Sequence, residues 1–148
     1  MSYTIKGVKT FRGREGQGFN ATLCRDGKPI AHVDDAACGG CYNWRWLGKD
    51  EEALFKAHVK QQLPAVEFEP EDHFISRLVD ELQEERTLRR WCKGKTVFRL
   101  RADAPGSYRT LTSRYSTAAA AGLRKKHGEL LEEIVNERFV KQEESCLT

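Results

Sequence analysis

Acidic residues are almost missing from one long stretch of this chain. Between Arg86 and Lys126 there are twelve lysines and arginines and a single acid, Asp103. The stretch has a formal charge of +11 in a 148-residue chain whose net charge is only +3, so the remainder sums to −8. A mixed surface needs no partner, whereas a field of one sign attracts phosphates or an acidic surface. Other absences narrow the classes further. No apolar run is long enough to span a bilayer, so no membrane partner is expected. The opening residues Met1 to Lys6 lack the apolar core of a secretory signal, which points to the cytoplasm and to five cysteines kept as thiols. Their odd number argues against a closed disulfide framework. Cys146 also stands one position too near the terminus for prenylation.

Catalytic signatures are equally scarce. There is no Gly-x-Ser-x-Gly and no kinase-type loop, and His32, His58, His73 and His127 lack metalloprotease spacing. His58 reads as a hydrogen-bonded core residue. Asp34 and Asp35, adjacent in an expected strand, point to opposite faces and so seldom serve one site. No nucleophile, base and orienting group come together, and a non-enzymatic protein without a cofactor is expected. The aromatic signature of an RRM, a KH loop and a zinc finger are missing too. Gly13-Arg14-Glu15-Gly16-Gln17-Gly18 has the glycine density of a phosphate-cradling loop, but it lies between two expected antiparallel strands. Phosphate loops of that kind join a strand to a helix, so a hairpin connection at the lip of a site is the stronger reading.

The patterning predicts an α+β fold over one domain, residues 1–140, with a frayed tail at 141–148. The first third alternates with period two and is punctuated by glycines, with Asp26-Gly27 as a tight-turn signal, which makes an antiparallel meander of three or four strands. Asp50 is placed to cap a helix with Leu54, Phe55, His58, Val59, Gln62 and Leu63 inward, stopped by Pro64. A second central helix is expected from Glu71 to about Trp91, with Arg86, Arg89, Arg90 and Lys93 at its end, where the helix dipole favours cations. A C-terminal hairpin follows, Lys95–Leu100 with Tyr108–Thr112, turning through Ala104-Pro105-Gly106-Ser107. Its alternation sets Lys95, Val97, Arg99 and Arg101 on one face as a basic row. Ser116 then caps a helix that Gly128 ends. Residues 129–139 suit a further helix, with an edge strand over 134–139 as the alternative.

Two readings of the basic segment are open. Arg99, Arg101, Arg109, Arg114, Arg124, Lys125 and Lys126 converge beside Tyr108, Tyr115 and Trp91 to hold phosphate and stack on bases, or the cations pair within the chain. Trp44 is a further candidate for stacking. Cys38-Gly39-Gly40-Cys41 has the spacing of a zinc knuckle or a redox pair, yet no second knuckle completes a zinc site, and the residues after Cys41 read as a strand where a redox motif opens a helix. A tight turn is the reading preferred for it.

The run Gly16-x-Gly18-Phe19-Asn20-Ala21-x-Leu23, then Asp26-Gly27-Lys28, Asp34-Asp35 and Gly39-Gly40, and later Phe98-Arg99-Leu100 with Tyr108-Arg109-Thr110, resembles small accessory proteins of bacteriophages. The resemblance implies a protein of the host cytoplasm made during infection, in a group where non-enzymatic inhibitors of host defence are frequent. It carries over no catalytic residue. Three functions stand in order of preference. The first is capture of an anionic target, either a nucleotide immune signal or a host defence protein, by Arg99, Arg101, Arg109, Tyr108, Arg114, Lys125 and Trp44, in a chain with enough aromatic surface to form a homo-oligomer. The second is general nucleic-acid binding. The third is a zinc or redox role through Cys38 and Cys41.

Overall fold

The computed structural model describes residues 1–146, with side chains through Glu143. The chain is α+β and divides into two compact units, Met1–Leu82 and a second beginning at Gln83, where one domain is expected from the sequence.

In the first unit β1 (Tyr3–Gly13), β2 (Gly16–Arg25), β3 (Lys28–Asp35) and β4 (Asn43–Trp46) pair antiparallel in sequence order, the expected meander. Asp26 and Gly27 both adopt left-handed φ, 49° and 84°, which is why this dipeptide closes the β2–β3 hairpin in two residues. Alternate residues of β2, Phe19, Ala21 and Leu23, are buried on one sheet face. They join α1 (Glu51–Gln62) and the start of α2 (Pro70–Cys92) through Phe55, Val59, Phe74, Ile75 and Val79. Phe55 is fully buried, with the rings of Tyr3, Trp44, Trp46 and Phe74 at centroid distances of 5.1–5.9 Å. His58 packs on the rings of Tyr3 and Phe74. Two expectations need correction. Asp50 stands at the N-cap but its side chain makes no capping bond, because its φ and ψ of −109° and 0° depart from the extended cap geometry. Leu54 and Gln62, both expected inward, are exposed.

In the second unit β5 (Thr96–Leu100) lies between β6 (Arg109–Leu111) and β7 (Leu131–Ile134), all antiparallel. β5 is buried on both faces. Val97 packs with Leu88, Val135 and Phe139, and Phe98 with Ala120, Leu123 and Ile134. The expected basic row is therefore interrupted, since Val97, on the side assigned to Arg99 and Arg101, has no exposed surface. α3 (Thr117–His127) starts on Ser116, whose Oγ accepts the Ala119 N–H at 3.0 Å, and ends at Gly128 with φ 54°, both as expected. A single 3₁₀ turn (Gly128–Leu130) leads into β7.

Residues 129–139 hold both candidate structures, shifted from their expected places. The strand covers Leu131–Ile134 because these residues complete the sheet on β5, with Phe98 opposite Ile134, and the helix α4 (Val135–Cys146) begins only after it. α4 continues beyond Lys141, where the sequence suggests fraying. Buried Asn136 ties the unit together: its Oδ1 accepts the Val97 N–H at 2.7 Å and its Nδ2 donates to the carbonyls of Lys95 and Cys92 at 2.9 and 3.4 Å. Among the described residues no helix is long and apolar enough to cross a membrane.

Candidate anion-binding site

The last turns of α2 carry Arg86, Arg89 and Arg90 at i, i+3 and i+4, which puts three cations on one helical face, and Lys93 follows directly after the helix. Leu88, between them in sequence, faces the interior and is 1% exposed. Arg114 and Tyr115 come from the connection between β6 and α3. That connection is pinned at both ends: the buried Thr96 hydroxyl donates to the Ser113 carbonyl at 2.9 Å, and Ser116 caps α3. α4 adds Phe139, Val140 and Glu143. These side chains line a cleft of about 630 Å³ with five cations and one carboxylate around a partly apolar floor.

The cations are not equivalent. Arg89 is committed to the fold: it donates to Glu85 Oε1 at 3.0 Å and to Gln142, and its guanidinium stacks over the Phe139 ring at 4.5 Å. Arg90, Lys93 and Arg114 meet no acid among the described residues. A cation without a partner in a concave site is one whose charge is available to a ligand. Burial raises the Cys92 thiol above its ordinary range, against the lowering pull of Arg138, so this lining residue stays protonated at neutral pH.

A second cleft of about 740 Å³ also lies within this unit, but its charges cancel locally. Arg124 pairs with Glu137, and Arg138 with Glu133 at 2.8 Å. An anion entering there would have to displace glutamates that already hold the arginines.

Arg99 and Arg109 meet at Asp103, the one acid of the basic stretch, and Arg101 turns instead to the 3₁₀ turn before β7. Arg109 grips both oxygens of Asp103, with Nη2 to Oδ1 at 2.8 Å and Nε to Oδ2 at 3.0 Å. Arg99 donates to Glu132 at 2.6 Å and to the Asp103 carbonyl at 3.0 Å, while Arg101 donates to the Glu129 carbonyl at 2.7 Å. The Arg109 guanidinium and the Leu100 N–H together hold the Asp103 carboxyl down at about 2. Arg99 and Arg109 therefore organise the β5–β6 turn.

Tyr108 donates its hydroxyl to Glu84 at 2.8 Å and packs its ring on the Leu88 cluster. Burial, then Glu84, raises its pKa. Lys125 is exposed in the last turn of α3 and does not line the cleft. Trp44 belongs to the first unit, where its ring stacks on Trp46 at 5.2 Å with planes 6° apart and its Nε1 donates to Asp72 at 3.1 Å. Cys38 and Cys41 are exposed thiols in the β3–β4 connection.

Of the expected ligand residues, then, Arg114 is the one that lines the cleft. Its partners Arg86, Arg90 and Lys93 were legible as a helical stripe in the sequence, yet a cationic helix end has a sufficient local explanation in the dipole. Compared with family models, curated proteins and solved structures, the chain matches none.

Proposed function

We propose that this chain is a non-enzymatic binding protein whose second unit captures a phosphate-bearing ligand of nucleotide size. The observation that carries the reading is the cleft in which Arg90, Lys93 and Arg114, which form no ion pair among the described residues, stand beside Tyr115. Guanidinium groups match phosphate oxygens in pairs, an ammonium adds a mobile point charge, and a tyrosine face accepts a base by stacking. The volume falls within the range of small-molecule sites, which favours a compact ligand over an extended strand. Sequestering a nucleotide signal of host immunity is the counter-defence role that the resemblance to phage proteins implies. An acidic patch on a host defence protein would engage the same cations.

The exposed Lys125 and Lys126, outside the cleft, favour general nucleic-acid binding as the second reading. Salt separates the two. Binding of a single-stranded oligonucleotide along a basic track falls steeply with ionic strength, because each neutralised phosphate releases counterions, whereas a nucleotide in the cleft releases few.

The test is a titration with a fluorescent nucleoside triphosphate and, separately, with inorganic triphosphate. Wild-type protein is compared with the triple variant Arg90→Glu, Lys93→Glu, Arg114→Glu, its fold checked by circular dichroism. Loss of three charge-assisted contacts is expected to weaken binding by at least about a hundredfold. Unchanged affinity in a folded variant refutes the assignment.

A further inference from the structure

The Cys38-Gly39-Gly40-Cys41 turn does not line the cleft, and hydrogen bonds hold the residues on both sides of it. On the upstream side Asp35 Oδ1 accepts the Ala37 N–H at 2.8 Å, and the Ala37 carbonyl accepts the Glu15 N–H at 2.8 Å. On the downstream side the Tyr42 N–H donates to Asp72 Oδ2 at 2.8 Å, fastening the turn to α2 within the same unit. Gly39 has φ 83°, a backbone conformation that favours glycine, and the Glu15 carboxylate lies close beside it. Two thiols at knuckle spacing thus project into solvent from a short turn anchored at both ends.

Two chemistries use this spacing, and the structure separates them. A redox pair takes its reactive thiolate from a helix N-terminus. Here the residues after Cys41 enter β4, which offers no such dipole. Zinc takes four ligands in a tetrahedron, and two thiolates two residues apart supply half of it. The chain does not supply the rest: among the described residues no third His, Cys, Asp or Glu gathers with this pair, and Cys24 is buried within β2. An identical pair of thiols from a second copy would supply the missing half.

We propose that two copies of this chain share one zinc ion through four thiolates, Cys38 and Cys41 of each. The ion joins the first units of the two copies and uses none of the residues that line the cationic cleft, so the proposal stands whether or not that cleft binds phosphate. Each thiol releases its proton to solvent as it ligates, so uptake weakens as pH falls.

The experiment titrates reduced, metal-free protein with cobalt(II) and then zinc(II), following thiolate-to-cobalt charge-transfer absorption and, in parallel, molar mass by light scattering. The expected result is saturation at one metal per two chains, a tetrahedral four-thiolate spectrum, a doubling of mass, and return to monomer on adding a chelator. Cys38→Ser and Cys41→Ser each abolish the band and the mass change, whereas Cys92→Ser and Cys146→Ser retain both. Because the two thiols lie on the surface, circular dichroism of the serine variants is expected to match wild type. Saturation at one metal per chain without a change in mass overturns the proposal. So does failure of the reduced protein to take up metal, or uptake that survives Cys38→Ser with Cys41→Ser.

Discussion

The first unit buries one continuous aromatic core, whereas the second divides its apolar residues into two small clusters on opposite faces of β5. Their charges differ too. Residues 1–82 carry eleven lysines and arginines against thirteen acids, and the rest of the chain fourteen against nine. A continuous core holds a sheet through packing alone. A unit with little core leans on polar links, and in the second Asn136 and Thr96 supply neutral hydrogen bonds while Asp103 offsets part of the positive charge. The contrast teaches where a ligand site is tolerated: cations can be left unpaired in a unit whose integrity rests on a few fully satisfied buried bonds.

The contrast can be broken most directly at its apolar pole. Phe55→Ala removes a fully buried ring in contact with four others and is expected to cost about 4 kcal/mol, measured by denaturant unfolding with tryptophan fluorescence. A cost below about 1 kcal/mol would mean that the core is not the first unit's main support. At the polar pole, Asn136→Ala strands the Val97 N–H and two carbonyls in the interior, with an expected cost of about 3 kcal/mol. Hydrogen exchange of the Val97 amide reads it, and retained protection there removes the link from the account.

Smaller changes sharpen the picture. Ser116→Ala removes the cap of α3 and is expected to cost about 1 kcal/mol, seen as faster exchange at Ala119 and Ala120. The mildest perturbation is acid. The folded Asp103 carboxyl titrates at about 2, below an ordinary aspartate near 4, so its contribution is full above that ordinary value and is lost as pH falls toward about 2. The shifts of the Leu100 amide and of the Arg109 Nε–H should move together over that interval and stay flat in Asp103→Asn. Separate transitions at the two N–H groups would contradict a shared carboxylate.

Much of the fold was readable from residues whose signals are local. Asp26-Gly27 demands a two-residue turn, Ser116 and Gly128 bracket α3, and the apolar spacing from Phe74 to Leu88 outlines α2. β7 was hidden because Leu131, Ile134, Val135 and Phe139 fit a helical face equally well, and only pairing with the distant β5 makes Leu131–Ile134 a strand. The candidate site divided in the same way. Arg114 and the stripe from Arg86 to Lys93 are each visible, but no sequence spacing reveals that a hydrogen bond from Thr96 to Ser113 carries one toward the other. The same pairing logic concealed the fate of Arg99 and Arg109, whose acceptors were apparent only once Asp103 and Glu132 lay beside them.

The strand pairings also set an order of events during synthesis. β1, β2, β3 and β4 each pair with the next strand along the chain, so the meander needs only short loop closures, and the unit is complete once Leu82 has been made. β5 must wait for β7, which follows an entire helix, and Asn136 comes later still. A nascent chain thus carries its finished aromatic half while the cationic half remains unpaired at the ribosome, where polyanionic RNA is the nearest surface. Arg99 and Arg101 meet Glu132 and the Glu129 carbonyl only after α3 has been made, so these cations are the last to find their own acceptors.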